Sequence, residues 1–208
     1  MSGKMDRRQK KTRKAILDAC FSLIQKKDIQ QVTINEIAEQ ANINRGTFYL
    51  HFEDKYDMMN SFENEMISKI EEVFVKNIPK EHFNQQFLPS RYDTIIQVLK
   101  CFEENKKLMQ LLLKSGHNAS FQAKLQETLK IIIDKEILDR LKNLHINIPI
   151  ELLIITFTSV TLSIAEYSYQ SKEPINIEQL AEFMFKIMLQ GPAKTVGLLK
   201  NEDLDNAF

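Results

Sequence analysis

An all-α fold is predicted by three features of the sequence. Apolar residues recur at helical spacing in segment after segment, no alternating run is long enough to compete as a strand, and prolines fall between the periodic segments. With 208 residues and 43% apolar content the chain can bury a substantial core, organised as a small N-terminal domain (1–54) and a larger C-terminal one (55–208). The net charge is zero but uneven. Residues 1–14 hold Lys4, Arg7, Arg8, Lys10, Lys11, Arg13 and Lys14 against Asp6, a net +6 that leaves −6 for the rest. Such a block is either a solvated tail or an arm drawn to a polyanion. Two cysteines, Cys20 and Cys101, with no CxxC and no signal-like stretch behind the basic start, fit a reducing cytoplasm.

Ile16, Ala19, Cys20, Leu23 and Ile24 predict a first helix over residues 7–27 with one apolar face, on which Cys20 is core rather than chemistry. Thr33 followed three residues later by Glu36 has capping-box spacing and opens a second helix with Ile34, Ile37 and Ala38 inward. Asn42 tolerates the left-handed conformation that reverses the chain, and Asn44 can cap a short third helix, 45–51. In that helix Phe48 and Phe52 lie four apart and, with Ile43, pack against the second helix. Their burial turns Arg45, Thr47, Tyr49 and His51 outward, as a helix-turn-helix requires if its second helix is to enter a major groove.

Asp54 starts a long fourth helix with Met59, Phe62, Met66, Ile70 and Val73 inward, closed by Pro79. Residues 79–90 have a proline near each end and predict a connecting loop. Helices at 91–104, 106–115, 119–144, 150–171 and 176–190 are predicted to follow, with Pro149 and Pro174 at junctions. The segment "LLIITFTSVTLSIA", 152–165, carries no charge over 14 residues. That is short of the roughly 20 residues that span a bilayer, so it predicts a helix buried on most sides and no membrane association. The last helix places Leu180, Phe183, Met184, Ile187 and Met188 on one stripe. Together these two helices predict a bundle shared between two chains, with Leu162, Leu180, Phe183 and Ile187 at the contact; a purely intramolecular core is the other reading.

The run "TINEIAEQANINRGTFYLHFEDKYDMM" behind an amphipathic helix resembles the N-terminal domain of the TetR family of bacterial transcriptional regulators, over about residues 10–60. Asn42 stands where the family usually has a turn glycine, and Asn44 where it has a capping serine. The stretch "FEENKKLMQLLLKSGHNASFQAKLQETL", 102–129, is similar to a C-terminal subtype common in Gram-positive members, in which "ENK" opens one helix and "FxxKL" another. The resemblance implies an all-helical homodimer. Its small domains, each joined by the long fourth helix to the C-terminal bundle, would bind a palindromic operator on double-stranded DNA, as a ligand-responsive repressor does.

Carried over residue by residue, the resemblance makes Arg45 the reader of a guanine edge, Gly46 a point of close approach, and Thr47 and Tyr49 contacts to phosphate or base edges. His51 matches a phosphate-contacting position. Lys55, at the start of the fourth helix, adds a cation where a helix N-terminus already favours phosphate. Thr33 has the same double role at the second helix, Asn35 is within reach of a base edge, and Arg7, Arg8 and Lys11 of the basic arm become phosphate or minor-groove contacts. The family also implies an effector, here an apolar or amphipathic small molecule. Phe102, Leu108, Met109, Leu112, Phe121, Leu125 and Leu129 can line a cavity for it, with His117 or Tyr167 as polar contact; core packing is the other reading.

Catalysis has little footing. His51, His82, His117 and His145 show no metal-ligand spacing, five glycines include no phosphate-cradling loop, and no cofactor or metal is called for. The other reading from a different class is a helix-turn-helix co-activator that works mainly through a protein partner.

Overall fold

The structure, a computed structural model, describes residues 7–77, 87–114, 118–136, 149–171, 176–195 and 197–198. Among these residues there are nine α-helices and no strand. They are α1 (Arg7–Ile24), α2 (Ile34–Gln40), α3 (Arg45–Tyr49), α4 (Lys55–Asn77), α5 (Phe87–Glu104), α6 (Lys106–Lys114), α7 (Asn118–Glu136), α8 (Ile150–Gln170) and α9 (Ile177–Thr195), with a 3₁₀ turn at Ile29–Gln31. Two compact units result, one of Met1–Lys69 with Asn105–Leu125, the other of Ile70–Glu104 with Gln126–Phe208. The division therefore falls inside α4 rather than at residue 54, and gives α6 and the start of α7 to the unit that contains α1–α3.

The first unit is built on apolar faces in register. Ile16, Ala19 and Cys20 of α1 are buried, as are Ile37 and Ala38 of α2, Phe48, Phe52 after α3, and Met58, Met59, Phe62 and Met66 of α4. Each large side chain removed from water contributes about 1.5–3 kcal/mol, so this core needs no disulfide. Cys20 is a free thiol against the Met58 sulfur, and burial pushes it up to about 12, which fits a core role. From α6 and α7, Leu108, Met109, Leu112, Phe121 and Leu125 complete the same core.

Polar contacts fix these helices to one another. Lys107 pairs with Asp18 at 2.5 Å and Lys114 donates to Gln25 at 3.2 Å, which ties α6 to α1. Lys124 of the "FxxKL" motif pairs at 2.6 Å with Glu63 of α4, a carboxylate only 2% exposed, and also donates to Asn60 and Asn64. Burying a carboxylate is tolerable only with such partners.

In the second unit α5 starts at Phe87, earlier than the sequence predicts, and takes in Pro89. The first turn of a helix has no intrahelical use for its N–H groups, so a proline there is harmless. Residues 79–86 of the expected loop, including Pro79, lie outside the described residues, as do His82, His145 and Pro174 and the expected helical stretch 137–144. Ile95 and Leu99 of α5 pack on Ala181 and Met184 of α9, with Ile164, Leu180 and Phe185 around them. Tyr169 donates to the Phe102 carbonyl at 3.2 Å, and α9 breaks at Gly191 (φ 72°) just before Pro192.

Three expectations for this unit need correction. α8 is not buried on most sides of its own chain: Ile154, Thr158, Thr161, Leu162 and Ala165 form one inward stripe, whereas Leu152, Leu153, Ile155 and Tyr167 are exposed. Leu162, only 4% exposed, therefore faces its own chain and not a partner, because it lies on the inward stripe. Tyr167 is 66% exposed, so it does not line an internal cavity; Phe102 and Leu129 are core of this unit, and His117 lies outside the described residues. Leu180 packs partly against its own core, while Phe183 is 43% exposed and Ile187 half-buried.

Candidate nucleic-acid interface

The candidate interface is made by two short helices and the turn between them. Thr33 closes a complete capping box: its hydroxyl accepts from the Glu36 N–H at 3.3 Å, and the Glu36 carboxylate accepts from the Thr33 N–H at 2.9 Å. Lys27 adds an ion pair to Glu36 at 2.6 Å. These hydrogen bonds, from Lys27 first and then Thr33, hold the Glu36 carboxyl down at about 2. Asn42 adopts φ 53°, and the Ile43 N–H reaches the Ala38 carbonyl at 2.9 Å while that of Asn42 reaches Glu39 at 3.0 Å. This paired closure of a helix C-terminus needs a left-handed residue, which asparagine supplies where glycine is usual. Asn44 then accepts from the Gly46 N–H at 3.0 Å and starts α3.

Phe48 and Phe52 are 0% and 2% exposed, so they set the orientation of α3. Arg45, Gly46 and Tyr49 are exposed, as is Asn35 on α2, while Thr47 and His51 are half-buried. Arg45 lies along Tyr49, donating to its hydroxyl at 3.1 Å with the guanidinium 5.5 Å from the ring centre. A Cβ on Gly46 would meet only the Asn44 side-chain oxygen, at 3.7 Å. Among the described residues nothing therefore demands a glycine there. Burial, and then the Arg13 charge, hold His51 below the usual imidazole range. A neutral imidazole still carries one N–H to donate.

Three residues stand differently from the sequence reading. Lys55, expected to face phosphate, instead donates from its ammonium to the carbonyls of Ile29, Gln30 and Val32 at 2.9, 2.9 and 3.0 Å. An ammonium has three donors, and all three are spent on the 3₁₀ turn that precedes α2. Leu50 is not among the residues expected to face outward, yet it is 84% exposed and lies roughly 160° round the helix from both Phe48 and Phe52, at the centre of the outward face. The signal is in the spacing: residue 50 is two from each phenylalanine. Arg13 also differs from its basic neighbours. Arg7, Arg8, Lys10, Lys11 and Lys14 are exposed along the first turns of α1, while the Arg13 side chain is only 16% exposed and packs on Phe52.

Comparison with known proteins bears on the same segments. The family described as "Bacterial regulatory proteins, tetR family" matches residues 16–62, and the family "Transcriptional regulator C-terminal region" matches 90–190. The chain belongs to the tetR family. Its match to the HTH-type transcriptional regulator YxbF of Bacillus subtilis is 26% identical over 137 residues, and to the HTH-type transcriptional repressor BepR of Brucella suis 30% over 96 residues. These matches cover 65% and 46% of this chain, and span 33% and 45% of the length of those relatives. Among solved structures, NalD of Pseudomonas aeruginosa, the secondary repressor of the MexAB-OprM multidrug efflux pump, superposes with TM-score 0.63 at 18% identity, covering 89% of this chain and 98% of NalD. FadR, a fatty acid degradation regulator of Bacillus halodurans, gives 0.59 at 16%, covering 91% and 98%. At such identities the likeness establishes the fold. The tetR-family match contains the whole of α2, the turn, α3 and the first turns of α4, which are the elements of the candidate interface.

Proposed function

We propose that this chain is a cytoplasmic, DNA-binding transcriptional repressor that acts as a homodimer on a two-fold symmetric operator, each protomer placing α3 in a major groove. The observation that carries this reading is the outward face of α3. A helix anchored by two buried phenylalanines presents Arg45, Gly46, Thr47, Tyr49 and Leu50, and none of them is fully buried. Arg45 supplies the fork that matches the O6 and N7 acceptors of guanine. His51, as a neutral donor, and Arg7, Arg8 and Lys11, as cations, engage phosphates, which position without reading sequence. Thr33 and Lys55 support this face from behind, by capping α2 and bracing the turn before it; the α2 N-terminus and Asn35 remain available to phosphate and base edges.

The apolar surface left on α8 and α9 supports dimerisation. Leu152, Leu153 and Ile155 on α8, and Phe183, Met188 and Leu189 on α9, are each about half exposed in the single chain, and obligate homodimers bury surfaces of this kind. BepR and NalD are named as repressors, which favours repression here as well. The regulatory input we assign is an apolar or amphipathic small molecule that prefers one of two arrangements of the helices behind α3. The test is enrichment of duplexes from a random-sequence library by the purified protein, followed by footprinting. A palindrome with half-sites one helical turn apart, or a multiple of it, is expected; enrichment of no sequence over scrambled DNA would remove the proposal.

A further inference from the structure

We infer that Arg13 is a positioning residue rather than a phosphate contact, and that the polar chain Asn105–Lys69–Glu65–Arg13 fixes the C-terminal end of the recognition helix α3. Arg13 lies on the same stripe of α1 as the buried Ile16 and Cys20, three and seven residues on, whereas Lys11 lies on the opposite side and is exposed, as is Arg8. Its guanidinium is 4.8 Å from the centre of the Phe52 ring and 5.7 Å from that of Phe62. It also donates to the Ser61 hydroxyl at 3.0 Å and sits 3.5 Å from Glu65. One side chain of α1 thus holds Phe52, three residues beyond the end of α3, and three residues of α4. A planar, weakly hydrated guanidinium can stack on rings and form hydrogen bonds at once, which an ammonium cannot.

The chain continues away from α3. Glu65 uses one carboxylate oxygen for Arg13 and the other for Lys69, at 2.9 Å, and Lys69 donates in turn to Asn105 at 2.6 Å. Asn105 is the centre of the "ENK" motif that opens α6. All these residues belong to the first unit. A change in the position of Asn105 therefore has a continuous route of charge-assisted contacts to Phe52, and from there to Arg45 and Tyr49 one to two turns earlier. The inference rests on α3 being the recognition helix.

The test uses fluorescence anisotropy on the duplex that wild-type protein enriches from a random library, and on a scrambled duplex of the same composition, across a salt series. Arg13→Lys, Arg13→Gln, Glu65→Gln and Asn105→Ala are compared with Lys11→Ala. Each of the four should lose about tenfold on the enriched duplex with little change on the scrambled one, as expected when coupling is carried by packed polar contacts. Their salt slopes should equal wild type, whereas Lys11→Ala should lower the slope by about 1 for each phosphate that the lysine neutralises. Arg13→Lys combined with Asn105→Ala should lose less than the product of the two single effects, because they act on one chain of contacts. If Arg13→Gln unfolds the unit, Glu65→Gln and Asn105→Ala, both at half-buried positions, carry the test alone. A salt slope lowered by Arg13→Gln as it is by Lys11→Ala would overturn the inference, and so would unchanged binding by Glu65→Gln and Asn105→Ala. Loss of selectivity by Arg45→Ala alongside unchanged Arg13→Lys removes only the positioning role; an Arg45→Ala protein that keeps its selectivity removes the recognition-helix reading beneath it.

Discussion

The Arg45 guanidinium donates to the Tyr49 hydroxyl at 3.1 Å and lies 5.5 Å from the centre of the same ring, so the two residues one turn apart on α3 form a single unit. Free arginine side chains sample many rotamers, and ordering one on binding costs about 0.5–1.5 kcal/mol. The Tyr49 hydroxyl removes part of that cost in advance. Tyr49→Phe keeps the ring but loses the acceptor, and should weaken operator binding by about 0.5–1.5 kcal/mol, the net worth of one such hydrogen bond. Thermal stability should not change, because both side chains are exposed. Anisotropy and a melting curve on the same preparation check both halves.

Gly46 gives a prediction in which stability and binding move in opposite directions. Its Cβ position is open inside the protein, and alanine is favoured over glycine in a helix by about 1 kcal/mol. Gly46→Ala should therefore raise the melting temperature while weakening operator binding, since the added methyl projects from the face that approaches DNA. Leu50, one turn on, should contact an apolar feature of the groove, and the thymine methyl is the one on offer. Replacing operator thymines singly by uracil should identify one position per half-site where wild-type protein loses affinity and Leu50→Ala does not.

Glu36 links the second helix to pH. Its carboxyl titrates at about 2 in the folded protein against 4.5 for the unperturbed group, so its contribution is complete above about 4.5 and is lost as pH falls towards 2. Glu36→Gln preserves the capping-box acceptor but not the charge that pairs with Lys27. The difference in melting temperature between wild type and Glu36→Gln should stay constant above pH 4.5 and shrink below it. A difference independent of pH from neutrality down to about 3 would contradict the assignment.

Dimerisation makes a separate claim on α9. Light scattering should give twice the chain mass, and Phe183→Glu or Ile187→Glu should shift the protein to monomer, because an unpaired charge buried at such a contact is strongly destabilising. The folded helix content should remain, since Phe183 is 43% exposed in the single chain and Ile187 only half-buried. Leu162→Glu should instead unfold its unit, given that Leu162 is buried inside it.

The elements of the first unit are legible in the sequence because local chemistry dictates them. Thr33 with Glu36 names the start of α2, Asn42 and Asn44 the turn, and Phe48 with Phe52 the inward side of α3. What is not legible depends on partners distant in sequence. Lys55 and Arg13 look like any surface cation until the fold brings three carbonyls to one and two rings to the other. Leu50 is obscured by its type, because an exposed leucine carries no signal until the helix face is fixed. In the second unit, the apolar composition of α8 predicts burial but not by what. One stripe meets its own chain, and the other is exposed in the single chain.

The measurement that bears most directly on the central claim compares Arg45→Ala with Arg8→Ala and Lys11→Ala on operator and scrambled duplexes over a salt series. All three variants remove one positive charge from an exposed position. Arg45→Ala should lose about 1–3 kcal/mol on the operator and much less on scrambled DNA, because the interaction removed belongs to one base pair. Arg8→Ala and Lys11→Ala should weaken both duplexes alike and lower the salt slope by about 1 per phosphate contact, doubled in a dimer that engages both half-sites. If Arg45→Ala weakened the two duplexes equally, α3 would be holding the DNA without reading it, and the role given to its outward face would be wrong.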